Sequence, residues 1–134
     1  MYGFSTRLTT GSLDEIEQKV ADALKEEGFG ILTEIDVQAT LKKKLDVQSS
    51  PYKILGACNP SLAHQALQMD PDIGLLLPCN VVLREEGDGA ITVSFMDPGA
   101  VLNLVQREGI SELAGEVRSR LMRVRQQLGG TPSD

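Results

Sequence analysis

Two hydrophobic periods alternate along this chain, and that alternation constrains its fold more than any other feature. Tyr2 to Leu8 sets Tyr2, Phe4, Thr6 and Leu8 against Gly3, Ser5 and Arg7. A period of two reads as a strand with one wet face. The pattern then changes. Ser12-Leu13-Asp14-Glu15 is a capping box, with Ser12 as N-cap and Glu15 at the third helical position. Leu13, Ile16, Val20, Ala23 and Leu24 follow on one helical stripe, and Gly28 stands where a helix-terminating glycine belongs. The spacing predicts a helix over residues 13–27. From Phe29 the period is two again, with Phe29, Ile31, Thr33, Ile35 and Val37 on one face and Leu32, Glu34 and Asp36 on the other. A strand, a helix and a second strand in that order exclude an all-helical or all-β chain.

The rest of the chain repeats the alternation in shorter pieces. Val37 to Leu45 has the i, i+4, i+8 stripe of a short helix, its lysines near the end where positive charge suits the helix dipole. Tyr52 to Cys58 reads as the third strand, with Tyr52, Ile54, Gly56 and Cys58 sharing a face. Asn59-Pro60 is an N-cap followed by proline at the first helical position, and Asp70-Pro71 ends that helix. Asn80 to Glu86 and Ile91 to Met96 flank Gly87-Asp88-Gly89 and form a hairpin. Asp97-Pro98 opens a short helix to about Val105. Ser111 is the expected cap of a last helix whose stripe is Leu113, Val117, Leu121, Val124 and Leu128. These elements predict an α+β fold: a mostly antiparallel sheet of about five strands with helices packed on one face. Residues 1–128 form the expected single domain and residues 129–134 an expected disordered tail.

Charge and hydropathy narrow the function classes. The chain has 134 residues and a formal net charge of −6, which disfavours nucleic acid as a partner. Its basic clusters, Lys42-Lys43-Lys44 and the arginines of the last helix, are not interleaved with aromatics. No apolar run approaches the roughly 18 residues of a membrane span. MYGFSTRLTTG has no apolar core of a secretory signal, so the two cysteines are expected as reduced thiols in a cytoplasm.

Chemistry-bearing residues concentrate between Pro51 and Val82. This stretch holds both cysteines, the only histidine and the repeated pair Cys58-Asn59 and Cys79-Asn80. Cys58 ends a strand just before a helix N-terminus, a position that can favour thiolate; its bland reading is a small buried hydrophobe. Cys79 shares a strand face with Val81 and Leu83, so core filling is its default. Asn59 is explained as an N-cap. Asn80 stands in a strand, where asparagine is disfavoured, and reads as a loop tie or a ligand holder. His64 reads as a surface histidine or, more sharply, as a general base without an evident orienting carboxylate. Cys58, Cys79 and His64 lack a fourth ligand for structural zinc, so no metal is expected. No phosphate-loop, dinucleotide-binding, nucleophile-elbow or zinc-protease motif is present, and no cofactor is expected.

Three segments carry a family resemblance: VQATLKKKL from Val37, PYKILGACNP from Pro51 and GLLLPCNVV from Gly74. They resemble the bacterial and archaeal domain-of-unknown-function family 302, and the resemblance extends from Gly3 to Leu128. It implies a small α+β domain that pairs as a homodimer, without an assigned activity.

Two functional readings follow. The first is a non-catalytic, homodimeric small-ligand-binding or interaction domain, with Cys58, Asn59, His64, Cys79 and Asn80 as ligand-binding candidates. The second is a thiol-dependent enzyme or sulfur carrier using Cys58. Strand parity leaves Leu32, Leu55, Val82 and Met96 among Ser5, Arg84, Thr92 and Ser94 on an uncovered sheet face, the expected self-association surface. The two Cys-Asn segments are expected side by side at neighbouring strand ends, without a disulfide.

Overall fold

The computed structural model describes residues 1–134. β1 (Gly3–Leu8) leads into α1 (Leu13–Glu26), and the capping box forms as expected, Ser12 and Glu15 serving each other's amides. Next come β2 (Gly30–Asp36), α2 (Val37–Leu45), β3 (Tyr52–Cys58) and α3 (Pro60–Met69). A 3₁₀ segment, Pro71–Leu76, leads to the hairpin of β4 (Cys79–Glu85) and β5 (Ile91–Met96). α4 (Pro98–Val101), α5 (Ile110–Leu128) and β6 (Thr131–Ser133) complete the chain.

The strands make one sheet in the order β2-β3-β4-β5-β1-β6, with every neighbouring pair antiparallel. The α+β class stands, with six strands rather than five. The sixth is the segment expected to be disordered. Thr131–Ser133 pairs with Ser5–Arg7, and Arg125 donates to the Ser133 carbonyl and the Asp134 carboxylate. The glycine pair that stops α5 also turns the chain back to the open edge of β1, whose amides and carbonyls otherwise lack strand partners.

β1 and β2 are separated in the sheet by β5, β4 and β3, so α1 crosses its face. The stripe Ile16, Val20, Ala23 and Leu24 is buried there together with Val117, Leu121 and Val124 of α5. The opposing row from the sheet runs Leu55–Val81–Phe95–Phe4 through direct cross-strand pairs. A second, smaller cluster joins Ala66 and Ile73 to Leu102, Ile110, Leu113 and Ala114.

Two strand readings need correction. On β3 the core face carries Lys53, Leu55 and Ala57, so Leu55 is fully buried under the helices and not on the uncovered face. Both parities of this strand are apolar, and only the register against Val81 and Leu83 selects between them. On β2 a bulge between Ile31 and Thr33 leaves Leu32 as the extra residue. Beyond the bulge the alternation is inverted, with Glu34 opposite Leu55 and Ile35 opposite Ile54. The last helix also starts one residue earlier than its expected cap. Gly109 is the N-cap and Ser111 lies inside the helix, because Ile110 is drawn into the second cluster.

Candidate functional site

Antiparallel pairing of β3 with β4 brings the two Cys-Asn segments together. Ala57 faces Cys79 and Gly56 faces Asn80, so one segment leaves the sheet where the other enters. Glycine is required at Gly56. A side chain there would overlap the Thr33 hydroxyl and stand 2.8 Å from the Pro78 ring, both of which close over it.

Asn59 caps α3 and also ties it to the end of α1. Its Oδ1 accepts from the Leu62 amide at 3.2 Å, and its Nδ2 donates to the Glu27 carbonyl at 3.4 Å. Arg120 of α5 donates to the same carbonyl at 3.0 Å. Gly28 turns beneath this junction at φ +84°, with no room for a Cβ beside the Asn59 amide. The side chain is 9% exposed and both ends of its amide are in use.

Beside this junction lies a cavity of about 300 Å³. Ala57 and Cys79 contribute from the sheet, and Leu62, Ala63, Ala66 and Leu67 from α3. Leu113 and Val117 of α5 line another part, with Leu77 and Pro78 completing the wall towards β4. Small residues at 57, 63 and 66 leave the space open where larger ones would fill it. Leu32, expelled by the β2 bulge, also lines the cavity and is 66% exposed.

The two thiols here are free, Cys79 buried and Cys58 half-buried. Burial raises the Cys58 pKa. It pushes Cys79 up to about 12, with neighbouring Cys58 adding to the shift. Both environments favour the neutral thiol, the opposite of an activated nucleophile.

The five candidates therefore divide. Cys58, Asn59 and Cys79 line the cavity. His64 is exposed on α3 and does not line it. Asn80 points to the other face of the sheet, as the alternation after Cys79 requires. There it lines a shallow groove of about 520 Å³ with Tyr52, Val82, Arg84, Ser94 and Met96. Arg84 in this groove is paired with Glu86 at 2.9 Å and reaches Ser94 at 3.4 Å. Sequence reasoning missed Leu32, Leu113 and Val117 as cavity residues. Leu32 carried a signal, a large apolar residue on a face otherwise formed by Glu34 and Asp36. The α5 residues carried none beyond their core stripe, since the cavity forms only when α5 meets α3.

Fold and site define a small α+β domain with a helix-covered antiparallel sheet and an apolar cavity at the ends of its third and fourth strands. The chain belongs to the family described as Domain of unknown function DUF302, which matches residues 4–128. It is similar to the crystal structure of the uncharacterized conserved protein DUF302 from Bacillus stearothermophilus, with 27% identity and a TM-score of 0.88. That similarity covers 96% of this chain and 99% of the other. No curated protein matches the chain.

Proposed function

We propose that this protein is a non-catalytic small-ligand-binding domain that works as a homodimer, with the ligand held at the Cys58–Cys79 end of the sheet. The cavity of about 300 Å³ carries this reading. Its volume lies at the low end of the range typical of ligand sites, and it is built from several separate elements. The neutral thiols weigh against the thiol-chemistry alternative. Homodimer formation is supported by the uncovered sheet face, where Tyr52, Ile54, Val82 and Met96 stand half-buried among Ser5, Arg84 and Ser94. A mixed apolar face of this kind suits isologous pairing across a two-fold axis.

Extraction of the purified protein followed by mass spectrometry tests the ligand reading. A stoichiometric small molecule is expected in the wild type and absent after Ala63→Phe, which fills the cavity. Cys58→Ser is expected to retain that molecule. Loss of the molecule in Cys58→Ser, with unchanged melting, would instead favour a covalent role for the thiol.

A further inference from the structure

We propose that the cavity selects a neutral, apolar ligand and rejects anions, an inference that rests on the ligand-binding reading above. The lining contains no charged side chain. Asn59 is its one amide, and both ends of that amide are engaged, with the Leu62 amide and the Glu27 carbonyl. A charged group entering this space would lose its water and meet no opposite charge, with only the second Asn59 N–H and two weak thiol donors left to it. Nor does the lining supply a cation to hold an acid headgroup at the opening. Leu32, Leu67 and Gly74, the exposed residues there, carry no charge.

Volume bounds the ligand's size. Apolar cavities of about 150 Å³ stay dry and take up molecules such as benzene. This one is about 300 Å³. By comparison with benzene in a cavity of about half the volume, the enclosed part holds on the order of ten non-hydrogen atoms. The small side chains of Ala57, Ala63 and Ala66 make that room. The occupant is therefore a hydrocarbon-like molecule or the short apolar end of a neutral amphiphile.

1-Octanol and octanoate form a matched pair for the test, equal in chain length and different in charge. Each is titrated into the full chain at neutral pH, and the backbone amide resonances of Ala63, Ala66 and Leu113 are followed by NMR. Octanol is expected to shift them saturably, with octanoate weaker by at least about ten-fold because its carboxylate has no cationic partner. Leu67→Lys, at a residue 43% exposed, puts a cation at the opening. It is expected to bring octanoate to within a few-fold of octanol, and Ala63→Phe to abolish both. Octanoate binding as tightly as octanol to the wild type would overturn the selectivity while leaving the ligand site intact. Failure of Leu67→Lys to strengthen octanoate would overturn the electrostatic argument. Saturation by neither molecule, with the protein folded, would overturn the selectivity and the ligand reading together.

Discussion

Cys79 shows how one buried group couples stability to pH. Its thiol titrates near 9.0 when solvated and at about 12 in the folded protein, chiefly through burial. The folded pKa is raised, so the stabilising contribution is fully present below pH 9.0 and is lost as pH climbs towards 12. Lys53, held charged by Glu17 at 2.8 Å and Glu34 at 2.5 Å, has its pKa raised as well and begins to lose its own contribution above pH 10.5, within the same window. The difference between wild type and Cys79→Ala isolates the thiol. Urea midpoints measured from pH 7 to 11 are expected to fall more steeply in the wild type above pH 9. Parallel curves would show that Cys79 is solvated. Gly56 gives a steric prediction at the same scale. Gly56→Ala sets a methyl against Thr33 and Pro78 and is expected to cost about 1–3 kcal/mol of unfolding free energy. Asn59→Ala removes a cap and the tie to Glu27, with an expected loss of about 1–2 kcal/mol in the same assay.

At the scale of elements, the short segments depend most on their neighbours. β6 has three residues, all exposed, and holds its place through pairing with β1 and the contacts of Arg125. Removing residues 129–134 takes away the Gly129 carbonyl that accepts from the fully buried Thr6 hydroxyl, so the expected loss is about 1–3 kcal/mol. Hydrogen exchange is expected to quicken at Ser5 and Arg7 in the truncated chain, with α1 and α5 unaffected. Slowed exchange at those amides would indicate that another segment takes the place of β6. Helix boundaries with strong caps, Ser12, Asn59 and Asp97, were legible because the cap is a local contact between near neighbours. The start of α5 was not, because burial of Ile110 against Ile73 and Leu102 outweighs a serine at position 111.

The whole molecule presents two different surfaces. α1 and α5 cover one face of the sheet, and the other is a shallow, partly apolar groove around Val82. If that face pairs two copies, Val82→Asp places a charge at the centre of the contact. Light scattering at micromolar concentration is expected to give the mass of a dimer for the wild type and of a monomer for Val82→Asp. A monomeric wild type would remove the dimer from the proposed function and leave the cavity untouched.

The amino-acid order by itself determined the first five strands and the main helices, and their sequence along the chain. Caps, turn residues and hydrophobic periods act between residues a few positions apart, so Ser12 with Glu15, or Asn59 with Pro60, can be read without knowing what lies across the molecule. It also placed Cys58 and Cys79 at neighbouring strand ends, since the connection through α3 is short. Tertiary structure alone decided which face of β3 is the inside, because Ile54 and Leu55 are equally apolar and only the register with Val81 separates them. It decided that the bulge delivers Leu32 to the cavity. The cavity itself is a property of packing. It exists because the small residues of α3 meet α5 across the strand ends, a distance in sequence over which no local pattern carries information.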